Sequence, residues 1–262
     1  MEREIYHARS RGEGVNRPVY WALWYGVQPA LLAYFRLRRI GRDNIPRTGA
    51  AIIASNHRSF LDALAIAITA RRPLYYVAKK EMFASRTLAY IVSSLGGFPI
   101  DRGNSDEDAM TTARTILARG DAILIFPEGT RVRPGPLGEP KRGVGRLALE
   151  TGAPVIPVAV AGTERARRGI FVLPRKVRVR VGAPIAFETV SEATPELAAA
   201  ATARIWPLVE LQWEWLGGTP SARPPALAPG SSEPVFVANP RLAEDELKAR
   251  ERNVIRPGQE HR

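Results

Sequence analysis

Two short, wholly apolar runs each stop on a cluster of polar residues, and that repeated junction limits the folds open to this chain. Ala50-Ala51-Ile52-Ile53-Ala54 runs on to Asn56-His57, and Ala122-Ile123-Leu124-Ile125 runs into Phe126-Pro127-Glu128-Gly129. A short apolar run bounded by turn residues reads as a strand buried on both faces, the kind that parallel sheets use. Further strands are expected over residues 74–78, 98–101, 155–161 and 177–181, with helical patterns over 60–70, 81–95, 106–119 and 143–151. Strands that alternate with helices imply an α/β fold, a mostly parallel sheet with helices on both faces. Such sheets place their sites beyond the carboxyl ends of strands, so the two polar clusters can share one crevice. At 262 residues the chain has room for one substantial core and appendages.

Chemistry that needs a base near neutral pH falls on His57. His7 and His261, the other two histidines, stand in charged, weakly patterned ends of the chain. Asp62, five residues on, has the chemistry to fix the imidazole tautomer. The nucleophile that completes a triad is missing: there is no cysteine and no Gly-x-Ser-x-Gly elbow. Such a base activates a hydroxyl carried by a substrate, or a water. Asp62 has a competing task, since Ser59 with Asp62 three residues later reads as a helix start, where the helix dipole favours a carboxylate. On one continuous helix His57 and Asp62 would point to different faces, so a dyad requires the chain to bend between them.

Together these segments resemble the glycerolipid acyltransferase family that includes 1-acyl-sn-glycerol-3-phosphate (lysophosphatidate) acyltransferases. The family's Asn-His-x4-Asp block matches Asn56, His57 and Asp62, and its Phe-Pro-Glu-Gly-Thr-Arg block matches residues 126–131. Between them, Gly96-Gly97-Phe98-Pro99-Ile100-Asp101-Arg102 is similar to the family's Gly-x-x-x-Ile-x-Arg segment. Lys141-Arg142-Gly143 and Val155-Ile156-Pro157-Val158 are similar to its basic helix start and Val-Pro-Val strand. The resemblance implies acyl transfer from acyl-CoA or acyl carrier protein, as co-substrate, to the sn-2 hydroxyl of a lysophospholipid, without an acyl-enzyme. It implies His57 as base and Asp62 as its support, with Asn56 as motif support. Arg102, and with it Arg131 and Lys141, would meet the acceptor phosphate. Glu128 would order the acceptor hydroxyls or its own turn, and backbone amides near Gly129 and Thr130 would face the oxyanion. Many family members have Ser where this chain has Val132, so the acceptor does not follow from the motif. Other lysolipid acceptors, thioester or lysolipid hydrolysis, and a non-catalytic membrane tether are the alternatives.

The formal net charge of +12 calls for polyanionic partners. No nucleic-acid module is present: zinc-finger spacing, paired aromatic RNA-binding strands and a helix-turn-helix are all missing. Without cysteine, and with one usable histidine, no Cys- or His-based metal site and no resident cofactor is expected, which leaves carboxylate-bound magnesium as the open alternative. Absent cysteine also fits a cytosolic face better than an oxidising compartment.

Residues 18–35 are rich in Tyr, Trp and Leu between arginine clusters, but Gly26, Gln28 and Pro29 interrupt them. Tyr20, Trp21, Trp24, Tyr25 and Tyr34 suit the lipid–water boundary. Helices lying in an anionic membrane surface are therefore expected, giving a peripheral or monotopic protein on the cytoplasmic face of the cell membrane. The expected organisation is a basic segment at 1–17, an interfacial anchor at 18–42, an acyltransferase domain at 43–217 and a disordered tail at 218–262. A helical region over 191–216, interrupted at Pro207, closes the domain.

Overall fold

The apolar run at Ala51–Ser55 becomes β2, a central strand with every residue buried. A computed structural model describes residues 2–12, 14–100, 107–132, 135–168 and 171–220 of the chain. Around β2 lie β1 (Arg38–Ile40), β3 (Leu74–Lys79), β4 (Gly97–Ile100), β5 (Ala122–Ile125), β6 (Val155–Ala161) and β9 (Arg178–Val181). They form one sheet in the order β1-β9-β6-β2-β5-β3-β4. Each pairing in it is parallel except that of β6 with β9. A separate antiparallel pair, β7 (Arg167–Arg168) and β8 (Phe171–Val172), follows β6.

The helices are α1 (Glu2–Gly12), α2 (Arg17–Tyr34), α3 (Leu61–Ala70), α4 (Arg86–Ser94), α5 (Glu107–Ala118), α6 (Gly143–Thr151) and α7 (Pro195–Trp215). One face of the sheet packs Ile52, Ala54 and Ile123 against α5, α6 and α7. The other packs Ile53, Leu124 and Val158 against Leu61, Ala65 and Ile66 of α3 and Phe35 just past α2. Period-2 alternation decides this division, because adjacent residues of a strand enter opposite layers. The expected α/β architecture, a mostly parallel sheet with helices on both faces, is the one observed.

The chain leaves β2 through α3 to reach β3, later inserts β5 between them, and then crosses through α6 to place β6 on the other side of β2. Neighbouring strands β5, β2 and β6 therefore end side by side around a point where the winding reverses, where open α/β sheets gather ligands.

The amino-terminal segment differs from the sequence reading. Residues 2–12 form a helix packed on α5 and β4. His7 is fully buried, with Nδ1 2.8 Å from the Thr112 hydroxyl. The buried positions of this helix are the polar His7 and Ser10, with Ile5 exposed, so no apolar periodicity announces it, and the partner of His7 lies 105 residues away. Residues 17–34 make one unbroken helix, capped by Asn16 and running through Pro29. Tyr20 is buried, its hydroxyl donating to the Arg72 carbonyl at 3.0 Å, so it does not belong with the boundary-facing aromatics. Pro207 likewise lies inside α7 without ending it. Of the tail expected over 218–262, residues 221–262 lie outside the described residues.

Candidate active site

Because β2 ends at Ser55 and α3 begins at Leu61, five residues turn the chain through the bend that the dyad requires. His57 Nδ1 stands 3.0 Å from Asp62 Oδ2. The same oxygen accepts the backbone N–H groups of Arg58 at 2.6 Å and Ser59 at 2.7 Å. Its twin, Oδ1, accepts the Thr163 hydroxyl. Asp62 is thus both helix-start acceptor and imidazole support. Fully buried and held by three donors besides the ring, it is fixed before any substrate arrives.

The imidazole stacks on Phe126, with centroids 4.0 Å apart and planes 17° from parallel. Nε2 has no hydrogen-bond partner among the described residues, and no serine or threonine hydroxyl addresses it. With Nδ1–H donated to Asp62, Nε2 carries the free lone pair of a base. The arrangement suits proton abstraction from an incoming hydroxyl.

Asn56 anchors the strand end. Its amide gives Nδ2–H to the Val160 carbonyl at 3.0 Å and accepts the Val160 N–H at 2.8 Å, copying a strand ladder across to β6. Glu128 anchors the other junction. One carboxylate oxygen accepts the His57 N–H at 2.6 Å and the other the Gly138 N–H at 2.8 Å. Burial pushes this carboxyl above its ordinary pKa, opposed by those two N–H groups and by the charges of Arg58 and His57. Of the two tasks proposed for Glu128, the geometry provides for the turn: both oxygens are turned to the protein's own backbone, not to solvent. Val132 N–H closes the circuit by donating to the His57 carbonyl at 2.9 Å.

Gly129 adopts φ +69, and a Cβ there would meet Lys141 Cε at 2.9 Å, so the turn favours glycine. Its N–H is spent on the Phe126 carbonyl, whereas the N–H groups of Thr130 and Arg131 have no partner among the described residues. The Thr130, Arg131 and Lys141 side chains are exposed. Arg102 falls outside the described residues; β4 ends two positions earlier at Ile100.

Beside Phe126 opens a groove of about 750 Å³. Val77, Ile100, Met110 and Ile125 line its apolar part, with Lys141 and Arg142 among the cations in its wall. Sequence reasoning missed Thr163, which follows the apolar β6 after Gly162, at a third strand end of the same type. It also missed Arg58, whose guanidinium donates to the carbonyls of Gly135 and Pro136 and lies 4.9 Å from the Trp213 ring centroid. Burial pushes the Arg58 pKa down, against the opposing charges of Glu128, Glu164 and Asp62.

The family model described as Acyltransferase matches residues 36–161, the span that contains the dyad, the Phe126 junction and the groove's strand ends. Residues 36–161 belong to the acyltransferase family. Among relatives of this acyltransferase domain, a chloroplastic 1-acyl-sn-glycerol-3-phosphate acyltransferase of Arabidopsis thaliana is 28% identical over 144 residues, covering 54% of this chain and 40% of that protein. A 1-acyl-sn-glycerol-3-phosphate acyltransferase of Bacillus subtilis is 27% identical over 146 residues, covering 55% and 71%. The match therefore spans well under half of the plant relative's length. In fold, the acyltransferase domain and its surroundings are similar to the 1-acyl-sn-glycerophosphate acyltransferase of Thermotoga maritima. That likeness has a TM-score of 0.57 at 22% identity and covers 78% of this chain and 82% of that one.

Proposed function

We infer that the protein transfers an acyl chain from a thioester, acyl-CoA or acyl carrier protein, to the sn-2 hydroxyl of 1-acyl-sn-glycerol 3-phosphate, giving phosphatidate. The observation that carries this reading is a buried His57–Asp62 pair with an open Nε2 and no protein nucleophile against it. The acceptor is the one named in the relatives, which are 1-acyl-sn-glycerol-3-phosphate acyltransferases. In the proposed step, Nε2 takes the proton of the acceptor hydroxyl as its oxygen attacks the thioester carbonyl. Asp62 steadies the imidazolium, and collapse of the tetrahedral intermediate expels the thiolate, which takes up a proton. The unpartnered N–H groups of Thr130 and Arg131 are the donors available to the oxyanion, and the groove beside Phe126 offers apolar surface to an acyl chain. Arg102 and Lys141 supply cations for the acceptor phosphate, as the family resemblance implies.

Acceptor dependence tests the reaction. The protein with acyl-CoA and lysophosphatidate should form phosphatidate and release thiol only when the acceptor is present. Thiol release at the same rate without acceptor would make it a hydrolase. His57→Ala should lower transfer by about a hundredfold or more, the usual worth of a general base. Near-wild-type turnover by folded variant protein would end the mechanism.

We further infer a peripheral or monotopic seat on the cytoplasmic face of an anionic membrane. No helix among the described residues is long and apolar enough to cross a membrane. Support for an interfacial seat comes from the Trp21, Trp24 and Tyr25 ring cluster of α2, and from exposed Tyr25 and Phe171 near arginine-rich segments.

A further inference from the structure

A second cavity, of about 480 Å³, opens on the opposite side of β2 from the apolar groove, at the ends of β6 and β9. Its lining carries five cations, Arg58, Arg165, Arg175, Lys176 and Arg178, against one carboxylate, Glu164. That carboxylate is partly spent, accepting the Gly162 N–H at 2.8 Å and standing 3.7 Å from Arg165. Arg175, Lys176 and Arg178 have no carboxylate partner among the described residues.

The strand pattern makes this more than a solvated face. Val177, Val179 and Val181 enter the core, so Arg178 and Arg180 point to the α7 side, where Arg180 meets Gln212 at 2.8 Å and the Trp215 ring at 4.6 Å. Arg178 is half-buried, and its register partner across the parallel pair with β1 is Arg38. Like charges set directly across a sheet repel. The fold gathers Arg175, Lys176 and Arg178 with no carboxylate partner among the described residues, as a site for an external polyanion does.

The cavity is also wired to the dyad. Arg58 follows His57 in the chain, and Gly162 and Glu164 of the cavity wall flank Thr163, the hydroxyl donor to Asp62. A ligand seated here lies across β2 from the groove proposed for the acyl chain. We propose that this cavity binds the phosphates of a nucleotide-bearing thioester, the adenosine 3′-phosphate 5′-diphosphate end of an acyl-CoA donor. This rests on the reading of the protein as an acyltransferase and names its donor. Such a group carries about four negative charges at neutral pH. A cavity of about 480 Å³ admits a nucleotide more readily than the broad acidic surface of a carrier protein.

The test pairs a binding probe with a donor comparison, using the full chain and the variants Arg175→Ala/Lys176→Ala and Arg178→Gln, with thermal midpoints to confirm folding. Adenosine 3′,5′-bisphosphate, followed by titration calorimetry, should bind wild-type protein and bind each variant roughly tenfold or more weakly, since charge-assisted phosphate bonds are lost. Its affinity should exceed that of inorganic phosphate. The preference for acyl-CoA over S-acyl pantetheine, read as a ratio of kcat/KM, should fall by about the same factor. No bisphosphate binding by wild-type protein, or an unchanged donor ratio in folded variants, would overturn the proposal. So would variants whose only loss is adhesion to phosphatidylglycerol vesicles, which would make the cavity a lipid-headgroup site, or whose KM rises only for lysophosphatidate. Protein that binds the bisphosphate but acylates no lysophosphatidate would refute the proposed reaction while supporting this ligand for the cavity.

Discussion

Replacing Asp62 with asparagine separates two ways in which the carboxylate could serve His57. Asparagine keeps the shape and one acceptor oxygen but exchanges the other oxygen for an NH2 group. Elsewhere such a swap can turn the NH2 to the imidazole and enforce the wrong tautomer, at a loss of about ten-thousandfold. Here the site decides otherwise. The oxygen nearest His57 also accepts two backbone N–H groups, from Arg58 and Ser59, so an NH2 placed there would face two donors. The other position faces the Thr163 hydroxyl, which can rotate and accept. The carboxamide should therefore keep its oxygen toward His57, preserve Nδ1–H, and lose only the negative charge. Exchanging a charge-assisted bond for a neutral one, and losing charge stabilisation of the imidazolium, should cost about 2 to 3 kcal/mol. That is a fall of about a hundredfold in kcat at 1.36 kcal/mol per decade. Single-turnover acyl transfer measures it, with KM for both substrates as controls. Thr163→Val added to Asp62→Asn removes the acceptor that holds the carboxamide, and should deepen the loss by more than it costs the wild-type protein. A ten-thousandfold loss in folded Asp62→Asn protein would refute the orientation argument, and a loss under about threefold would remove the carboxylate from the reaction.

Three further outcomes are expected. Arg102→Ala should raise KM for lysophosphatidate far more than for the acyl donor, by about 2 to 4 kcal/mol if a phosphate is left without its partner, with Lys rescuing in part; equal effects on both substrates would assign Arg102 a structural task. Glu107 and Glu150 bridge α5 and α6 through Arg114 and Arg146. At Glu150 burial alone would raise the pKa, but the hydrogen bonds from Arg146 and Arg114 outweigh it and hold the carboxyl below its ordinary 4.5. At Glu107 the same two arginines, Arg146 first, depress it directly. The unfolded chain then binds more protons below pH 4.5, so this stabilisation is present above that value and is lost as pH falls through the folded pKa. Arg146→Ala should flatten the acid limb of thermal midpoint against pH, and an unchanged limb would remove the network from acid stability. Tyr25→Asp with Phe171→Asp should shift protein from anionic vesicles to the soluble fraction without altering its thermal midpoint, and unchanged vesicle binding would place the membrane face elsewhere.

The parallel sheet was legible because its buried strands are continuous apolar runs, and β6 at 155–161 and α6 at 143–151 have the expected bounds. Helix 61–70 starts one residue later than expected, since Ser59 and Asp62 hold the turn reciprocally: Leu61 N–H donates to the Ser59 hydroxyl and Ser59 N–H to Asp62. The proline positions misled because propensity charges about 3 kcal/mol for an interior proline. In α7 Ile205, Trp206, Val209 and Trp213, on both sides of Pro207 in the chain, are buried in the core, so tertiary packing of the helix outweighs the missing N–H. Helix α1 was hidden because its buried positions are the polar His7 and Ser10, and the histidine finds its partner only through the fold.

The same distinction runs through the site. His57 and Asp62 are close in sequence, so their pairing required only a bend that the residues between them announce. Glu128, Asn56 and Thr163 act across 71, 104 and 101 residues respectively, and each acts on backbone or on another side chain. Motif spacing identifies which residue types stand at a strand end but not which way a carboxylate turns there, because that depends on which donors the neighbouring strands deliver. Glu128 stands after β5, and its acceptors are filled by a loop after β2 and by Gly138 farther along its own loop. Thr163 was readable in principle, as the first polar side chain after an apolar strand, the junction that also marks His57 and Glu128. Three such junctions on three adjacent parallel strands converge only because β5 inserts between β2 and β3, and that strand order is the step that local patterns could not supply.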